Sequence, residues 1–212
     1  MMNPAMSHGI GMSSTSGSSS STAQQEYLLV GSIMDTACEA LLLRLKALCD
    51  NVETPETFRD HEMVFVLRGQ NQQTAVLRAR RSINPPSSSW QLRYIGQNDV
   101  SDKSRMVTVR SYQDCATSKN LPGFLDEIGF KLDYEFVAEG HMFRKGRLKI
   151  TVSKLFKISQ PGLAESSLEH MTSSRLVELS VVAPSGSENV PEDMRLFAEQ
   201  LKPLVIVDKL HI

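Results

Sequence analysis

The sequence predicts a mostly β fold with added α structure. It is an antiparallel β-barrel, or a strongly curled sheet, of about eight or more strands carrying about three packed helices. Three observations predict it. Short β-rich runs recur along the chain, most follow one another with no helix between them, and three stretches carry an apolar stripe at helical spacing.

In chain order, "MMNPAMSHGIGMSSTSGSSSSTAQQ" is Ser/Gly-rich and can bury almost nothing, so residues 1–25 are expected to form a disordered tail before one domain over 26–212. It lacks the basic and apolar regions of a secretory signal. "EYLLVGS" reads as a buried strand. "DTACEALLLRLKALCDN" reads as a helix, with Asp35 placed to cap its start and Ala37, Leu41, Leu45 and Leu48 along one side. "HEMVFVLRG" and "TAVLRARRS" flank Asn71–Gln73 and read as a hairpin. Pro85 and Pro86 make the next segment a loop, since they lack amide donors and restrict Asn84. "WQLRYIG" and "SRMVTVRSY" are further strands. "NLPGFLDEIGF" holds a short helix, with Pro122 in its first turn and Gly129 as its C-cap. After a long hairpin, "SRLVELSVVAP" is a strand ended by Pro184. The last helix starts at Pro191 and buries Met194, Phe197, Ala198 and Leu201, and "VIVDKLHI" is a tail or short strand.

The long hairpin runs "FKLDYEFVAEGHMFRKGRLKITVSKLFKI". Period-two alternation puts Phe130, Leu132, Tyr134, Phe136 and Ala138 on one face of its first strand and Lys131, Asp133, Glu135 and Glu139 on the other, with Val137 as an exception. The second strand sets Leu148, Ile150, Val152, Phe156 and Ile158 against Arg147, Lys149, Thr151, Ser153 and Lys157. A register that matches the two apolar rows also brings the acids beside the bases. The expected result is an apolar interior and a charge-balanced, solvated exterior, poorly suited to a phosphate backbone.

The whole chain carries a net charge of −1 and is 41% hydrophobic, which argues against a dedicated nucleic-acid binder. No apolar run approaches the length needed to cross a bilayer. The three cysteines, Cys38, Cys49 and Cys115, fit no disulfide framework and no paired zinc-ligand pattern; Cys38 and Cys49 fall in an apolar helical stretch and read as small core residues in a reducing compartment. No two histidines have helical ligand spacing, and no P-loop, G-x-S-x-G or G-x-G-x-x-G follows a strand. No catalytic, metal or cofactor residue is therefore assigned. Arg78 and Arg80 share a strand face and offer forks for a partner's carboxylates. Trp90, Phe143 and Arg144 are the other candidate partner anchors, because aromatics and arginine dominate such contacts, and Trp90 equally suits the core.

"EYLLVGS", "DHEMVFVLRGQ", "GFLDEIGF", "EFVAEGHMFRKG", "LVELSVVAPSG" and "FAEQLKPLV" closely resemble the animal Mediator subunit 18 family, from Glu26 onward. That resemblance implies a nuclear, non-enzymatic scaffold of the Mediator head module, the transcriptional coactivator assembly that engages RNA polymerase II. It implies a heterodimer with subunit 20, a tether through the carboxy-terminal helix of subunit 8, and contacts with other head-module subunits. The family barrel is similar to that of the triphosphate tunnel enzymes, which carry E-x-E-x-K on an early strand. The corresponding positions here are Glu26, Leu28 and Val30, so one acid remains and the tunnel chemistry is expected to be absent. Two other readings stay open. One is a degenerate tunnel-type phosphohydrolase using Glu26, Glu62, Asp133 and Glu135; the other is auxiliary RNA binding through Arg78, Arg80, Arg81 and the hairpin lysines.

Overall fold

The structure, a computed structural model, describes residues 23–50, 54–69, 74–84, 86–87, 89–99, 104–160, 164, 167–187 and 189–210. The expected tail falls almost wholly outside the described residues. Among them are ten strands and three α-helices. The strands are β1 (Gln24–Met34), β2 (Glu56–Arg68), β3 (Thr74–Asn84), β4 (Trp90–Asn98), β5 (Thr108–Thr117), β6 (Lys131–Lys145), β7 (Leu148–Ile158), β8 (Leu168–His170), β9 (Ser174–Pro184) and β10 (Val207–Asp208). The helices are α1 (Cys38–Leu48), α2 (Leu121–Glu127) and α3 (Val190–Glu199).

Eight strands close into an antiparallel ring in the order β1-β5-β4-β3-β2-β6-β7-β9, and β9 returns to β1. Closure leaves this ring no free edge. The short strands β8 and β10 lie outside it, on β7 and β1. The β2–β3 hairpin pairs as its sequence predicts, with Leu67 opposite Ala75 and Arg68 opposite Thr74.

The main core lies on the outside of this ring, under two helices. Tyr27 and Leu29 of β1, Ile150 and Val152 of β7, and Val177 and Leu179 of β9 pack against Leu41 and Leu45 of α1 and against Met194 and Phe197 of α3. Leu41 and Leu45 are fully buried, and each contributes about 1.5–3 kcal/mol relative to an exposed position. A smaller cluster seats Leu121 and Leu125 of α2 on Phe65, Ala79 and Trp90. The apolar interior expected from the hairpin is therefore corrected for β7: its apolar row points outward with those of β1 and β9, where helices cover it, while the aromatic row of β6 faces inward as expected.

The hairpin register explains the correction. Phe136 lies opposite Lys157, Ala138 opposite Leu155 and Gly140 opposite Ser153, so the aromatic row of β6 shares a face with the polar row of β7. That shared face looks into the ring. The outward face pairs Glu139 with Lys154, His141 with Val152 and Phe143 with Ile150. Lys154 thus sits in the apolar row of β7. It is buried, donating to the Thr172 carbonyl at 2.6 Å and pairing with the Asp35 carboxylate. Asp35 also accepts from Arg175 Nε at 3.2 Å, and it makes no side-chain cap to the helix, contrary to the sequence expectation. Its carboxyl stays below the usual range because Lys154 donates to it.

Candidate functional site

The inward row of every ring strand lines one cavity of about 1170 Å³. Period-two alternation dictates which residues line it. β2 supplies Asp60 and Glu62, β3 Arg78 and Arg80, β4 Arg93, β5 Arg110, β7 Lys149 and Thr151, β9 Glu178 and β1 Glu26. Toward the start of β6 the lining becomes aromatic, through Tyr134 and Phe136, whose rings stack at 6.2 Å.

Most charges in this lumen are matched in cross-strand pairs. Glu26 accepts from both Nε and Nη2 of Arg110 at 2.7 Å. Arg93 donates to Asp114 at 2.9 Å, and Tyr112 donates to the same carboxylate oxygen at 2.9 Å. Arg80 lies 3.8 Å from Asp60 and 3.9 Å from Glu62, and Arg78 lies 4.0 Å from Glu62. Those last three are ion pairs without hydrogen-bond geometry. Burial raises the Asp60 carboxyl above its ordinary range, with Arg80 opposing. Burial also raises Glu178, helped by the charges on Glu62 and Glu26. Lys149 is pushed down by burial first and then by Arg80, Arg93 and Arg144.

The five anchor candidates separate. Arg78 and Arg80 face the lumen together. Arg144 is exposed and lies directly opposite Lys149 on the inward face of the hairpin. Phe143 is 3% exposed within the main core. Trp90 is 5% exposed, tilted against His61 at 5.5 Å, with the Arg81 guanidinium 5.0 Å from its ring centre. Of the four acids weighed for phosphohydrolase chemistry, Glu26 and Glu62 face the lumen. Glu135 and Asp133 also border the cavity, where Glu135 accepts from His61 at 2.8 Å and Asp133 is exposed to solvent. Asp60, Arg93, Arg110 and Glu178 were not singled out from sequence. The usable signal was the repetition of polar residues at every second strand position.

A metal in the tunnel-enzyme manner does not fit these donors. Glu26 is held by Arg110, and the next two inward positions of β1 are Leu28 and Val30. No group of three or more His, Cys, Asp or Glu among the described residues is placed to hold a metal ion. Ring and lumen together define a class: an eight-stranded tunnel barrel in which Glu26, Asp60, Glu62 and Asp114 are paired with arginines.

The family model described as "Med18 protein" matches residues 25–212. The chain belongs to the Mediator subunit 18 family. A Danio rerio protein named "Mediator of RNA polymerase II transcription subunit 18" is 55% identical over 185 residues, covering 87% of this chain and 88% of that one. The protein of the same name from Drosophila melanogaster is 52% identical over 187 residues, covering 87% and 85%. Among solved structures, a chain of the Schizosaccharomyces pombe Mediator head module superposes with a TM-score of 0.72 at 14% identity, covering 89% of this chain and 100% of that chain. A Hippeastrum adenylyl cyclase homologue reported with a dominant triphosphatase activity superposes at 0.52 with 13% identity, covering 84% and 87%. At such identities the two likenesses show the fold alone.

Proposed function

We propose that this chain is a non-catalytic scaffold of the Mediator head module. In this reading it works in the nucleus and helps couple regulators to RNA polymerase II initiation. Subunit 20 is its heterodimer partner, and the carboxy-terminal helix of subunit 8 is its tether. The observation that carries the reading is a family match running through the whole barrel, from residue 25 to residue 212. The Glu26–Arg110 pair supports the non-catalytic part, because it occupies the one acid left from the tunnel-enzyme pattern. Residues 26–212 act as one domain, with Gln24 and Gln25 joining it as the start of β1. Arg144 is the anchor candidate that a docking partner reaches without rearrangement, since it is exposed while Trp90 and Phe143 are buried. Affinity purification of the tagged chain from nuclear extract tests the proposal. Recovery of the other head-module subunits is expected, and a preparation lacking them would refute it. The purified chain is expected to release no phosphate from tripolyphosphate with or without magnesium.

A further inference from the structure

The closed ring has no edge, but β6 starts beyond it. Its pairing with β7 begins only at Phe136, opposite Lys157, whereas its pairing with β2 continues to Lys131, opposite Val66. Past Ile158 the chain turns away from β6, and the Ser159 amide donates to the Ser167 carbonyl at 2.9 Å. Among the described residues, therefore, no strand pairs with the far side of Lys131–Glu135. Lys131, Leu132, Asp133 and Tyr134 are all exposed, Leu132 at 44% and Tyr134 at 49%. The overhang is held extended all the same. β2 pairs along its inner side, and Leu125 of α2 packs with Phe130 and Phe65 behind it.

The chemistry of an open strand selects its occupant. Every second residue turns its N–H and C=O to the vacant side, and an extended chain answers that row in register, while a helix has no free row to offer. The side chains narrow the choice. Asp133 is the extra residue of a bulge, left out between the rungs Val64–Tyr134 and Phe65–Leu132. A bulge and a charge both guard an exposed strand against indiscriminate pairing, so a chain that does pair here must answer the carboxylate. Its neighbours do not answer it. Lys131 donates to Asp126 at 2.7 Å, and Asp133 itself makes no ion pair among the described residues.

We propose that Lys131–Glu135 is a strand-addition site for an extended segment of another protein. That segment sets a lysine or arginine against Asp133 and apolar side chains on either side of it, over Leu132 and Tyr134, and becomes a further strand beside β6. The proposal goes beyond the scaffold reading. That reading stands or falls on co-purification, whereas this site is tested on the purified chain alone.

The probe is a phage-displayed library of random peptides, panned on the purified full-length chain and, in parallel, on the Asp133→Lys chain. The parent is expected to enrich peptides with a basic residue between apolar ones, and Asp133→Lys to enrich an acidic residue in its place. A peptide enriched on the parent is then resynthesised with a fluorophore and titrated by anisotropy. Asp133→Lys should weaken its binding by about twofold or more. Tyr134→Thr should weaken it by about threefold or more. Both side chains are exposed, so neither change touches the core. N-methylation of alternate peptide residues should abolish binding, and N-methylation of the residues between should leave it. Bound peptide should also slow amide exchange within residues 131–135. The proposal is overturned by no enrichment on the parent, by the same sequences from both chains, by N-methylation that matters nowhere, or by slowed exchange that spares 131–135.

Discussion

Gly140 sits where the lumen wall is tightest. It lies in β6 between Phe58 of β2 and Ser153 of β7. A Cβ built on it would stand 2.1 Å from the Val152 carbonyl oxygen and 2.7 Å from Ser153 Cα, where ordinary contact begins at 3.4 Å. Both obstacles are backbone, so no rotamer change relieves them. Gly140→Ala must push β6 and β7 apart by more than an ångström at this rung. Overpacking of this kind costs about 1–3 kcal/mol. Weakening the two adjacent ladder hydrogen bonds adds about 0.5–1.5 kcal/mol each. A total of roughly 3 kcal/mol lowers Tm by about 6–12 °C in a domain of this size. The assay is thermal unfolding followed by circular dichroism, with Gly123→Ala as the contrast. There the nearest atom is the exposed Asn120 Oδ1 at 3.1 Å, which can swing away, and the helix gains propensity, so Tm should hold or rise slightly. A Gly140→Ala chain melting within about 2 °C of the parent would refute the account of how this wall is packed.

Two further outcomes follow from the core and the lumen. Leu45→Ala, at a fully buried position of α1, should destabilise the chain by about 2–5 kcal/mol in urea unfolding, and a loss under about 1 kcal/mol would mean that α1 is not seated as described. Glu178→Gln should raise Tm near neutral pH. Its folded carboxyl lies above the ordinary 4.5, so ionising it destabilises the fold as pH rises from 4.5 through the raised value. The advantage of the glutamine chain should therefore vanish below about pH 4.5, and a lower Tm for it at neutral pH would contradict the assignment.

Local pattern made much of this fold legible. The stripe Met194, Phe197, Ala198 and Leu201 is buried as its spacing predicts, and Gly129, with φ of +99°, closes α2. Runs of strands with no helix between them pointed to the antiparallel ring. Asp35 shows where local reasoning stops. A capping residue ahead of a helix has a local use, but its carboxylate goes to Lys154, 119 residues away, and to Arg175. Nothing near Asp35 announces either partner. The same holds for Glu26, whose partner Arg110 arrives from another strand 84 residues on.

The orientation of the wall was a different kind of miss, because the sequence contained the means to settle it. Alternation with period two says that a strand has two unlike faces, and it is silent on which one is inside. The hairpin alone favoured matching apolar row to apolar row, yet the register places Phe136 beside Lys157. The helices decide the question. α1 and α3 each carry a continuous apolar stripe that must meet an apolar sheet face. An eight-stranded ring has an interior wide enough for side chains and at most a small cavity, so neither helix can be buried within it. The apolar rows of β1, β7 and β9 must then face outward beneath the helices, and whatever is polar at the alternate positions must face in. Glu26, Lys149, Thr151, Glu178 and Ser180 are those alternate positions, so a charged lumen follows from two helical stripes and one ring.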